Sequence, residues 1–170
     1  MIEILTISIP ALLVFLTAYL LINKQLREAD NNRKFELQKM GAATLTPIRL
    51  RAYERLMLVL ERTIPNYLII NTIKPGMSCI ELQTKLITSI RQEFAHNVSQ
   101  QIYVSTELWS AFKMAQESLI QLINSCSAKL KPEGDATQLA EYIIQVYNST
   151  EDVPTENAIG ILKNEVRSMM

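Results

Sequence analysis

Residues 4–22 read ILTISIPALLVFLTAYLLI, 19 positions without a charged side chain. As a helix this stretch would be roughly 28 Å long, close to the ~30 Å hydrocarbon core of a bilayer. Apolar side chains from Ile4 to Ile22 would cover every face, which a surface helix of a globular protein rarely does. Pro10 is tolerated within such a helix, and Tyr19 sits where an amphipathic ring meets the membrane interface. The stretch therefore predicts a transmembrane anchor over residues 1–23.

The flanking charges predict its direction. Only Glu3 precedes the run, whereas Lys24, Arg27, Arg33, Lys34 and Lys39 follow it. A cleaved signal peptide would have a basic start and a small-residue cleavage site, and neither is present. Basic residues stay on the cytoplasmic side. The expectation is a single-pass protein of the bacterial inner membrane, N-terminus outside and C-terminal domain in the cytoplasm, with the lipid bilayer as one partner.

Beyond the run about 148 of the 170 residues remain, enough for one domain with a core. Residues 24–62 hold nine basic and five acidic side chains, and residues 105–170 hold five and nine. A mildly positive membrane-proximal part suits anionic head groups. No dense basic run or aromatic–basic interleaving points to nucleic acid. Cys79 and Cys126, far apart in sequence, read as small buried residues rather than a metal pair. No phosphate loop, metalloprotease helix or nucleophile elbow is present, and no cofactor is implied.

Residues 24–45 are polar and read as a juxtamembrane stalk, with a break near Gly41. Thr46-Pro47 reads as a helix start. The helix that follows would bury Leu50, Tyr53, Met57, Leu60 and Ile64, and turn Arg51, Arg55 and Arg62 to a solvated face salt-bridged by Glu54 and Glu61. Residues 66–73 are a short helix or an extended piece. Ser78 with Glu81 forms a capping box opening a helix with Ile80, Ile87, Ile90, Phe94 and Val98 on one stripe. Ser105 or Thr106 caps a long helix lined by Leu108, Phe112, Ala115, Leu119, Leu122, Cys126 and Leu130. Asp135 and Thr155 cap the last two. With no alternating strand pattern, the fold class is all-α: a single N-terminal transmembrane helix followed by a bundle of about five helices over 46–170.

Two stretches, Arg49–Arg62 (RLRAYERLMLVLER) and Glu93–Ser105 (EFAHNVSQQIYVS), resemble segments of an uncharacterised family of small bacterial membrane proteins with one transmembrane helix and a helical cytoplasmic domain. The resemblance implies that topology and carries no catalytic residues. It groups Glu93, His96, Asn97, Gln100, Gln101, Tyr103 and Trp109 as a candidate interaction patch. Glu93 and His96 lie three apart and share a helical face, though a histidine near a helix end also suits the dipole there. The functional expectation is a membrane-anchored, non-enzymatic interaction or scaffold protein that binds a protein partner or itself. Two alternatives stay open: a ligand-binding or enzymatic domain using the patch around His96, and a stalk-like subunit of a membrane complex. The latter needs a long unbroken helix, against which the interior prolines argue.

Overall fold

The computed structural model describes residues 2–150 and 153–169, without the side chains of 2–14, 18, 38 and 42. The chain is all-helical: α1 (Ile2–Arg62), α2 (Pro65–Thr72), α3 (Cys79–His96), a 3-10 turn (Val98–Ile102), α4 (Thr106–Ser127), α5 (Ala136–Asn148) and α6 (Pro154–Arg167). It divides into two compact units, Met1–Pro47 and Ile48–Met170.

Helix α1 runs for 61 residues through both expected interruptions. Gly41 stays helical, and Pro47 is an interior residue rather than a first-turn one. Pro47 has no N–H to give the carbonyl four residues back, so the ladder loses one bond where the two units divide.

The expected membrane span is corrected. Among the described residues no helix is long and apolar enough to cross a membrane. The side chains of Ile4 and Pro10 lie outside the described residues. The transmembrane helix and the single-pass inner-membrane location are therefore not supported.

In the second unit every helix puts one face into a shared core. Helix α1 contributes Ala52, Tyr53, Leu56, Val59 and Leu60, a face centred nearer Leu56 than the Leu50–Ile64 line. Residues 65–72 resolve as helix α2, opened by Pro65 in its first turn. Helix α3 buries Cys79, Leu82, Leu86, Ile90 and Phe94. Ile80 and Val98 of the expected stripe are exposed. Leu108, Phe112, Ala115, Leu119 and Cys126 of α4 are buried as their spacing predicts. The Phe112 ring lies 4.4 Å from Phe94 and 5.3 Å from Trp109, centroid to centroid.

The loops before α3 and α5 pair with each other. Ser78 and Asp135 form an isolated antiparallel bridge. Ala136 N–H donates to the Met77 carbonyl at 3.0 Å, and Cys79 N–H to the Gly134 carbonyl at 2.8 Å. Ile80 N–H reaches the Pro132 carbonyl at 3.0 Å. Two of the first-turn donors that a helix leaves unpaired are thus taken by a neighbouring loop. The capping box supplies the next: Ser78 Oγ accepts from Glu81 N–H, and the Glu81 carboxylate accepts from Ser78 N–H at 2.9 Å. That bonding, backbone first, holds the Glu81 carboxyl below its ordinary range. Two glycines make the loops fit. Gly76 turns at φ +77°, and a Cβ on Gly134 would sit 3.0 Å from the Lys131 carbonyl oxygen.

Ser105 and Asp135 cap α4 and α5 as predicted, accepting from Leu108 and Thr137 N–H. The start of α6 differs. Val153 is its N-cap, Pro154 its first residue, and Thr155 is buried. Proline at the first helical position needs no donor, so the helix opens two residues earlier than a Thr155 cap would place it.

Candidate functional site

Three places in the 48–170 unit are candidates for a site. The first is a hydrogen-bonded chain that ties α1, α4 and α6 together. Arg49 Nε donates to the Tyr103 carbonyl at 3.1 Å, and its terminal nitrogen donates to Tyr53 Oη at 3.0 Å. Tyr53 Oη donates to Glu165 Oε2 at 2.8 Å. The other Glu165 oxygen accepts from the Ser105 hydroxyl. Ser105 Oγ still accepts from Leu108 N–H at 3.0 Å as a helix cap. Burial pushes the Tyr53 phenol above its ordinary value; Glu165 adds to this and Arg49 opposes it. The chain of bonds ties the three helices together as a lock.

The second is a groove of about 310 Å³ between α1 and the end of α3, lined by Arg55, Leu58, Val59, Arg62, Glu93, His96 and Asn97. Arg55 and Arg62 are seven apart on α1, so they share a face. His96 is exposed at the last position of α3, and Asn97 closes the helix by donating its side-chain amide to the Glu93 carbonyl at 2.9 Å. The expected salt-bridged arginine face is absent. The single ion pair among the described residues is Lys24–Glu28 on the other unit.

The third is an apolar groove of about 340 Å³ between α4, the end of α5 and the start of α6, with Leu119, Leu122, Val146 and Pro154 in its wall. Tyr147 lines it and shares a side-chain hydrogen bond with Thr155; burial, the leading cause, raises the Tyr147 phenol. Both cysteines are free and buried.

A family model covering residues 1–169 matches the chain, that of a family of unknown function. The chain belongs to DUF7935. No curated protein and no solved structure matches it.

The seven patch residues of this DUF7935 chain do not form one surface. Glu93, His96 and Asn97 line the arginine groove. Gln100 is buried and donates to Ser99 Oγ at 3.2 Å, while Gln101 is exposed. Tyr103 offers its carbonyl to Arg49. Trp109 stacks on Phe112 and borders a separate groove with Arg91 and Lys113. Every buried side-chain nitrogen or oxygen among the described residues has a hydrogen-bond partner. No group of three His, Cys, Asp or Glu side chains among them is placed to hold a metal ion. Arg49, Tyr53 and Glu165 carry no sequence signal as a unit, because Tyr53 and Glu165 are 112 residues apart. Arg55 and Arg62 share a face as their spacing predicts, but they do not meet Glu54 or Glu61.

Proposed function

We propose that this chain is a non-enzymatic helical interaction protein that self-associates through the first part of α1. The observation that carries the reading is exposure. Phe15, Tyr19, Leu20, Ile22, Leu26 and Phe35 are all more than half exposed on that helix. Contiguous apolar surface of this kind marks association surfaces. Phe15, Tyr19, Ile22 and Leu26 also follow the 4-3-4 spacing of a helix–helix seam.

Light scattering on the full chain across a concentration series tests it. The expected mass is a multiple of the chain mass, and Ile22→Asp combined with Leu26→Asp returns a monomer. A wild-type chain that is monomeric at every concentration sinks the reading. A second reading, a stalk-like subunit of a larger assembly, gains from one feature. Pro47 no longer argues against a long helix, because α1 is continuous through it. Native mass spectrometry of the endogenous complex separates the two: a stalk subunit sits with different chains, a self-associating one with copies of itself.

A further inference from the structure

We propose a second and separate interaction surface: the groove between α1 and the end of α3 docks an acidic amphipathic helix of another protein. Its two carboxylates, seven residues apart, are taken by Arg55 and Arg62. The surface lies wholly within the 48–170 unit and does not depend on self-association through residues 15–45.

Each guanidinium carries five donors in a planar fork that matches a carboxylate. Arg55 and Arg62 are exposed, and neither has an ion pair or hydrogen bond among the described residues, although Glu54 and Glu61 stand beside them in sequence. Neighbours in sequence point to different sides of a helix, so those glutamates do not reach across. Two open forks therefore remain on one wall of a groove.

Spacing then selects the ligand. Seven residues of helix separate the forks by roughly 10 Å along the axis. A helix lying along α1 presents side chains seven apart at the same interval. Leu58, 51% exposed, stands one turn from each arginine and gives the groove an apolar contact between the two charged ones. The complementary ligand is a helix with an acidic, an apolar and an acidic side chain on one stripe, the helix-in-groove form of recognition. Across the groove His96 adds a ring and Glu93 the one carboxylate. Two arginines against one glutamate leave the groove positive, which opposes a basic helix and favours an acidic one.

The test uses the full chain and a fluorescein-labelled helical peptide with Glu at positions i and i+7 and Leu at i+4. Binding should saturate, weaken as salt rises, fall at least fivefold in Arg55→Gln and in Arg62→Gln, and vanish in the double variant. Leu58→Ser should weaken it without changing the salt dependence. Thermal melts of the variants should match wild type, since all three side chains are exposed. If a melt shifts, Arg55→Lys and Arg62→Lys serve instead, keeping charge but losing the fork, with intermediate binding expected. Equal binding of a peptide with Gln at both acidic positions overturns the proposal, as do unchanged binding by the double variant and absence of binding. Displacement of the peptide by inorganic phosphate at an equal concentration overturns it in favour of a small-anion site.

Discussion

Before Pro47, helix α1 carries Phe15, Leu26 and Phe35 well exposed; after it, the same helix carries Ala52, Leu56 and Val59 almost wholly buried. The backbone is helical in both parts, so the difference lies in the pattern of side chains. From Ala52 to Thr63 the buried positions fall three or four apart and make a face that other helices can cover. From Phe15 to Ile22 apolar side chains point around the helix, and no single neighbour could cover them all. Helix formation and burial are thus separate consequences of sequence, and α1 shows the first without the second at Phe15, Leu26 and Phe35.

The largest expected effect breaks the buried side of this comparison. Phe112 is 1% exposed and packs against Phe94 and Trp109. Phe112→Ala should cost about 3–5 kcal/mol, the sum of lost transfer and a cavity. Phe35→Ala, at an exposed site, should stay within about 0.5 kcal/mol. Trp109 is the single tryptophan and lies in the second unit, so urea unfolding followed by its fluorescence reads that unit alone. A Phe35→Ala loss in that readout comparable to that of Phe112→Ala would mean that the stability of the second unit depends on the exposed part.

A smaller effect probes the lock that ties α1 to α4 and α6. Tyr53→Phe removes the hydroxyl joining Arg49 to Glu165 and should cost about 1 kcal/mol at neutral pH. The pH dependence has a defined sign. Burial first, and Glu165 next, raise the folded Tyr53 phenol above its unfolded value near 10. The stability this contributes is fully present below pH 10 and is lost as pH climbs through the folded value. Wild type should therefore weaken above pH 10, and Tyr53→Phe should weaken less steeply. Some slope persists in the variant, because Tyr147 is raised as well. Identical alkaline slopes for the two proteins would remove Tyr53 from the account.

Local signals were legible wherever the bond is local. The Ser78–Glu81 box and the caps at Ser105 and Asp135 join residues two or three apart, and each forms as the spacing requires. Membership of an uncharacterised family was also legible. Signals that depend on competition were not. Thr155 carries a capping side chain, yet it bonds Tyr147 and leaves Val153 at the helix start. Helix α3 offers two apolar stripes, and the body lies on the Leu82–Leu86 side rather than the Ile80–Ile87 side. Pro47 removes one ladder bond, and the helical turns on both sides persist. In the candidate sites the arginine pair was visible as a face, but its lack of partners was not. The Tyr53–Glu165 bond closes a separation that no periodicity could disclose.

The smallest expected effect asks whether the two parts share stability. Gly41 and Gly160 are both helical, and a Cβ added to either meets nothing within 4 Å. Alanine at such a site lowers the entropy of the unfolded chain and favours the helix by roughly 0.5–1 kcal/mol. Gly160 lies in α6, which packs on α4 within the second unit. Gly160→Ala should therefore raise the Trp109 unfolding midpoint. Gly41→Ala strengthens turns on the other side of Pro47 and should leave that midpoint where it is, while raising total helicity at intermediate urea. Equal gains from both would show that α1 melts together with the body as one cooperative element. The boundary at Pro47 would then divide contacts without dividing stability.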